Sequence, residues 1–198
     1  VGSEMCIRDR YEAYKGTRKP MDDALRQQVP LMKEMLAAMG VCTIEMEGYE
    51  ADDLLGTLAG MGERAGMEVS VVSGDRDLLQ LATDHVRIRI PKTKRTGTEI
   101  EDYLAADVKE RYQVTPKEFI DVKALMGDTA DNIPGVPGIG EKTATALIGQ
   151  YGCIEEVHAH ADVVKPPRAS KNIVEYWDQA VTVSYTHLRA HETRHDLV

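Results

Sequence analysis

At 198 residues the chain has room for one fair-sized domain, or for one domain with a small helical annex. A hydrophobic content of 42% argues against wholesale disorder, although a single Phe and a single Trp leave the core to Leu, Val, Ile, Met and Ala. The net charge of −9, from 33 acidic against 24 basic residues, argues mildly against a non-specific nucleic-acid binder; a site that gathers divalent cations, however, must itself concentrate carboxylates. Cys6, Cys42 and Cys153 form no C-x-x-C pair, which excludes a disulfide framework and a zinc knuckle as expectations. No apolar run reaches membrane-spanning length and no signal-peptide core stands at the start, so the expectation is a soluble, cytoplasmic protein without a membrane partner.

Residues 1–10 and 184–198 differ in character from the rest and lead into no periodic element; both resemble translated adapter read-through and are treated as non-native tails. Each carries two acidic and two basic residues, so the remainder keeps the charge of −9. His187, His191 and His195 imitate a metal-binding helix face, and are set aside with the tail that carries them.

In the middle, Leu25, Val29, Met32, Met35, Leu36 and Met39 recur at helical spacing from Pro20 to Met39, with Gly40 as a stop. A short strand is expected over Val41 to Met46. After the turn Glu47-Gly48-Tyr49, Leu54, Leu55, Leu58 and Met61 share one helix face, closed by Gly66. Residues 68–73 read as a buried strand ending in Gly74-Asp75-Arg76-Asp77, followed by a helix through Leu78, Leu79 and Leu81. Val86 to Ile90 is another strand, ended by Pro91. This alternation predicts an α/β fold with a mostly parallel central sheet, in which working residues sit at the carboxyl ends of strands. Beyond the basic loop Lys92, Lys94, Arg95, Gly97 the pattern turns helical, most clearly over Tyr103 to Tyr112 and Pro116 to Met126. A Gly- and Pro-rich loop then leads to a helix over Glu141 to Gln150. The expected division is an α/β core over residues 11–100 and a helical subdomain over 101–183.

Acidic residues cluster in three places: Glu50-Ala51-Asp52-Asp53 at a helix start, Asp75-x-Asp77 at a strand end, and Asp128-x-x-Asp131 entering the loop. Hard divalent cations take oxygen ligands, and two such ions a few ångströms apart can activate water and stabilise a phosphate leaving group. Helix capping alone would also explain Asp52 or Asp53. The segment Gly135-Val136-Pro137-Gly138-Ile139-Gly140-Glu141-Lys142 is more specific. Its glycines let backbone N–H groups approach phosphate oxygens, the following helix N-terminus adds its dipole, and Lys142 adds charge. The spacing is not that of a Walker loop, and contacts of this kind read backbone shape rather than bases. Tyr14, Lys15 and Arg18 form a small aromatic and basic group suited to steering phosphates.

Taken together, E-G-Y-E-A-D-D at 47–53, S-G-D-R-D-L-L-Q-L at 73–81, G-D-x-x-D-N-I-P-G-V-P-G-I-G-E-K-T-A at 127–144 and Y-K-x-x-R-x-P-M at 14–21 resemble the flap-endonuclease-like 5′-nucleases. The likeness is to the 5′-3′ exonuclease domain of bacterial DNA polymerase I, over residues 11–183. The resemblance implies a PIN-like 5′-nuclease fold joined to a helix–three-turn–helix DNA-binding subdomain. It implies that Glu50, Asp52, Asp53, Asp75, Asp77, Asp128 and Asp131 are the metal-site acids for two or more Mg²⁺ or Mn²⁺ ions. Gly135, Val136, Gly138, Ile139, Gly140, Lys142 and Thr143 would grip duplex DNA, with K⁺ held by loop carbonyls; Tyr14, Lys15 and Arg18 would guide the 5′ strand. The implied reaction is hydrolysis of a DNA phosphodiester at a 5′ flap, nick or duplex end by metal-activated water, carried out by a monomer in replication and repair. The family pattern also has two earlier strands, each ending in a metal-binding Asp, for which this sequence has no counterpart. The expectation is therefore weak activity from the chain as written, the alternative being a DNA-structure-binding fragment without catalysis. A haloacid-dehalogenase-like phosphatase built on Asp75-x-Asp77 is a third reading, but Leu79 stands where that pattern wants Thr or Val.

Overall fold

The computed structural model describes residues 13, 15–16, 19–47, 49–95, 97–129 and 132–188, with the backbone alone over 185–188. The first helix among the described residues, α1 (Asp23–Ala38), starts where the Asp22 side chain accepts the Ala24 N–H at 2.8 Å, an N-cap worth about 1 kcal/mol. It stops at Gly40, whose φ of +74° is a left-handed conformation that glycine adopts without penalty. Its apolar positions Leu25, Met32 and Met35 are all exposed. The expected strand over Val41 to Met46 is not formed: the segment is irregular and Val41, Ile44 and Met46 are exposed. Apolar composition alone makes no strand without a neighbouring ladder to satisfy its backbone.

Helix α2 (Ala51–Arg64) packs on β1 (Val69–Val72). A 3₁₀ segment (Arg76–Leu81), rather than an α-helix, follows β1 and buries Leu78, Leu79 and Leu81. Strands β2 (Val86–Lys94) and β3 (Gly97–Tyr103) complete a sheet of order β1-β2-β3, with β1 and β2 parallel and β2 and β3 antiparallel. The sheet is thus mixed, and two boundaries move. β2 runs through Pro91, which lies beyond the stretch paired with β1, where a missing N–H breaks no bond to that strand. Residues 97–103, expected as loop and helix start, form β3. This polar strand is held by charge pairing across the ladder, with Arg89 on Asp102 at 2.9 Å, Lys92 on Glu101 at 2.5 Å, and Lys94 on Glu99.

The helical half comprises α3 (Ala105–Tyr112), α4 (Glu118–Met126), the two-residue strands β4 (Gly127–Asp128) and β5 (Ile133–Pro134), and α5 (Glu141–Tyr151). After these come α6 (Ile154–Ala159), a 3₁₀ turn (Ala161–Val163), α7 (Pro167–Glu175) and α8 (Trp177–Leu188). One continuous core joins both halves. Leu79, Val86 and Ile88 from the sheet side meet Val108, Phe119, Val122 and Leu125, and these continue into Ile148, Ile154 and Ile173. Each such side chain contributes about 1.5–3 kcal/mol by its burial. Tyr112 stacks edge-on against Phe119 at 5.0 Å. Among the described residues no helix is long and apolar enough to cross a membrane.

Helix α8 continues past Val183, and the buried Ser184 donates its hydroxyl to Asp121 Oδ1 on α4 at 2.8 Å. Burial raises the Asp121 carboxyl above the ordinary aspartate value of 3.8, with the Ser184 bond opposing it and Glu155 adding to it. A folded-state value raised in this way stabilises the fold below the ordinary aspartate range and loses that contribution as pH rises through the folded value. Asp121→Asn, which keeps an oxygen to accept the Ser184 hydroxyl, is therefore expected to melt above the parent at pH 7. The gap should close below about pH 4 in thermal unfolding followed by circular dichroism. A parent that gains no stability relative to the variant on acidification would contradict this.

Candidate active site

The three acidic segments approach one another at the carboxyl end of β1. Glu50 and Asp52 come from the start of α2, Asp75 and Asp77 from the end of β1 and the 3₁₀ segment, and Asp128 from β4. Burial raises the Asp52 carboxyl, and the neighbouring carboxylates Asp75, Glu50 and Asp77 raise it further while Lys15 pulls it down. That pattern is the electrostatic signature of excess negative charge gathered from separate segments. Asp53 Oδ2 accepts the Glu50 backbone N–H at 3.0 Å and so secures the start of α2. Asp75 likewise shapes its own turn, with Oδ1 accepting the Asp77 N–H at 2.9 Å.

Two lysines reach into this group. Lys15 lies 2.6 Å from Glu50 Oε2, which places this member of the expected strand-guiding group beside a site acid. Lys123 of α4 bridges the second and third segments, 2.7 Å from Asp77 Oδ1 and 2.9 Å from Asp128 Oδ2. Burial alone would lower the Lys123 ammonium, but the two carboxylates outweigh it and hold it above its ordinary value. Sequence reasoning passed over Lys123. The signal was a lone lysine among the buried residues Phe119, Ile120, Val122, Ala124 and Leu125, since an ammonium in such a row requires partners. Tyr14, Arg18 and Asp131, and with them His191, His195 and the His187 side chain, lie outside the described residues.

The glycine loop is bolted directly to the third acid. Asp128 pairs with Ile133 and Gly127 with Pro134, so β4 and β5 form the base of the loop. Gly127 and Gly135 pack back to back, and a β-carbon at Gly135 would overlap the Met126 carbonyl and the Gly127 nitrogen. Val136 and Ile139 point into the core at 2% and 4% exposure, and their N–H groups donate to Leu125 and Val136 carbonyls. Both side chains therefore anchor the turn. Gly138, at φ +82°, Gly140 and Lys142 are exposed, and Thr143 is half-buried in the first turn of α5. Two amides unforeseen from sequence brace the loop: Asn172 donates to the Pro137 carbonyl at 2.7 Å, and Gln179 to those of Pro134 and Gly135 at 2.5 and 3.1 Å.

Among the described residues no three carboxylates stand close enough to hold an ion as they are placed. The donor chemistry nonetheless fits a hard divalent cation, being all carboxylate oxygen.

Residues 3–113 match the family model of the 5′-3′ exonuclease N-terminal resolvase-like domain, and residues 114–190 that of the 5′-3′ exonuclease C-terminal SAM fold. The chain belongs to the 5′-3′ exonuclease family. DNA polymerase I of Bacillus caldotenax is 46% identical over 181 residues, covering 91% of this chain and 20% of the relative. DNA polymerase I of Bacillus subtilis (strain 168) is 44% identical over 171 residues, covering 86% of this chain and 19% of the relative. The chain thus spans about a fifth of the length of the curated relatives it matches. Among solved structures, T5 5′-exonuclease with bound zinc superposes with a TM-score of 0.73 at 24% identity, over 91% of this chain and 69% of that one. The catalytic core of Rad2 in complex with DNA substrate gives a TM-score of 0.57 at 16% identity, over 92% of this chain and 60% of that one. These two likenesses establish the shared fold. The dehalogenase-like reading of Asp75 and Asp77 falls with the family assignment.

Proposed function

We propose that this chain forms the 5′-nuclease part of a bacterial DNA polymerase I, hydrolysing DNA phosphodiesters at 5′ flaps, nicks or duplex ends as a cytoplasmic monomer. The observation that carries the reading is the meeting of Asp52, Asp75, Asp77 and Asp128 from three segments, with Asp128 built into the base of the glycine loop. The division into a nuclease core over 11–100 and a DNA-gripping subdomain over 101–183 belongs to the same proposal. Glu50, Asp52, Asp53, Asp75, Asp77, Asp128 and Asp131 would hold the divalent ions, Mg²⁺ or Mn²⁺, and Asp53 also secures the segment that presents the first two. When bound, such ions supply Lewis acidity toward the phosphate and the attacking water.

The protein's own contribution is orientation. Gly138, Gly140, Lys142 and Thr143 offer exposed backbone, charge and hydroxyl to a phosphate run at the start of α5. Lys15, joined by Tyr14 and Arg18, would steer the 5′ strand over the acids. K⁺ would bind the loop through carbonyls that Asn172 and Gln179 already hold in position.

A labelled 5′-flap duplex incubated with the purified chain tests the proposal. Cleavage with Mg²⁺ that stops in chelator is the expected result. Tight flap binding with no cleavage under either condition would favour the DNA-structure-binding alternative, which the filling of the Asp77–Asp128 gap by Lys123 also favours.

A further inference from the structure

The Lys123 ammonium sits between Asp77 and Asp128, with side-chain exposures of only 13% for Lys123, 18% for Asp77 and 13% for Asp128. Glu50 is held by a second lysine, Lys15. The two partners of Lys123 come from different elements, the 3₁₀ segment and β4, and the lysine itself from α4. Lys123 therefore ties the strand-end acid to the acid at the loop base through one shared positive charge. Buried as it is, the ammonium cannot turn to solvent without giving up both ion pairs.

We propose that Lys123 is a resident counter-cation at the Asp77–Asp128 pair, so that a divalent ion drawn to these carboxylates enters between them only by displacing the ammonium. The inference rests on reading these carboxylates as a divalent-cation site. Lys123 is on this account a positioning residue: it keeps the two acids in register without metal and opposes the entry of a divalent ion.

The test counts Mn²⁺ binding by the electron paramagnetic resonance signal of the free ion, without DNA, for the parent chain, Lys123→Met and Lys123→Arg. Removing a unit positive charge a few ångströms from the ion is expected to raise the affinity of the Lys123→Met chain for Mn²⁺ roughly tenfold or more. Lys123→Arg should keep the parent affinity. In chelator Lys123→Met should melt below the parent, and Mn²⁺ should raise its melting temperature more than the parent's. If Lys123→Met does not fold, Lys123→Gln, which retains donors for both carboxylates but not the charge, takes its place with the same expectation. Equal Mn²⁺ affinity in parent and neutral variants overturns the inference while leaving the metal reading intact. Absence of Mn²⁺ binding in all chains overturns both.

Discussion

Asp75→Asn is expected to slow Mg²⁺-dependent flap cleavage by on the order of 10²–10³-fold, with little change in stability. The two effects separate because Asp75 has two roles. Its Oδ1 accepts the Asp77 N–H at 2.9 Å, a turn-shaping bond that an asparagine oxygen still makes. Its negative charge, felt at Asp52, is what a divalent ion would require, and an amide lacks it. Initial rates on a labelled flap, with thermal unfolding of the same sample in chelator, read both. Cleavage at the parent rate would remove Asp75 from the site; a large fall in melting temperature would recast it as structural.

Gly135→Ala is the second large effect, and it should appear in stability first. The added β-carbon meets backbone on every near side, namely the Met126 carbonyl and the Gly127 nitrogen, and backbone cannot yield as a side-chain tip can. A loss of at least about 3 kcal/mol in urea unfolding is expected. Gly138→Ala supplies the contrast: a β-carbon there meets open space, so only the φ of +82° is penalised, at about 1–2 kcal/mol. Equal costs for the two variants would show that the contact between Gly127 and Gly135 does not hold the loop.

The elements that could be read from the sequence were those whose local chemistry agreed with their tertiary fate. Gly40 and Gly66 marked the ends of α1 and α2 because a left-handed residue is needed there, and the run Val69–Val72 was apolar enough to announce β1. β3 was hidden because its stability comes from partners: Glu99, Glu101 and Asp102 make a poor strand alone and a good one beside Lys94, Lys92 and Arg89. Tyr103 looked helical for a similar reason, yet it closes β3 opposite Ile88 and is buried there. Among the site residues, spacing revealed the acids but not their division of labour. That Asp53 caps α2 while Asp52 faces other carboxylates depends on which side of one helical turn meets β1, which spacing does not encode. Lys123, Asn172 and Gln179 lay outside any motif, since their roles exist only once α4, α7 and α8 have docked.

The two-residue ladder between β4 and β5 gives the molecule a fixed gauge length. Asp128 and the glycine loop hang from the same pair of backbone hydrogen-bonded residues, and the fit between Gly127 and Gly135 removes slack from that joint. A duplex seated on Gly138 and Gly140 would therefore be held a set number of nucleotides from the carboxylates, whatever its sequence. On the proposed function such a chain would choose where to cut by measuring along the helix, and an inserted residue between Gly135 and Gly138, beyond the ladder, would shift the cut rather than abolish the grip.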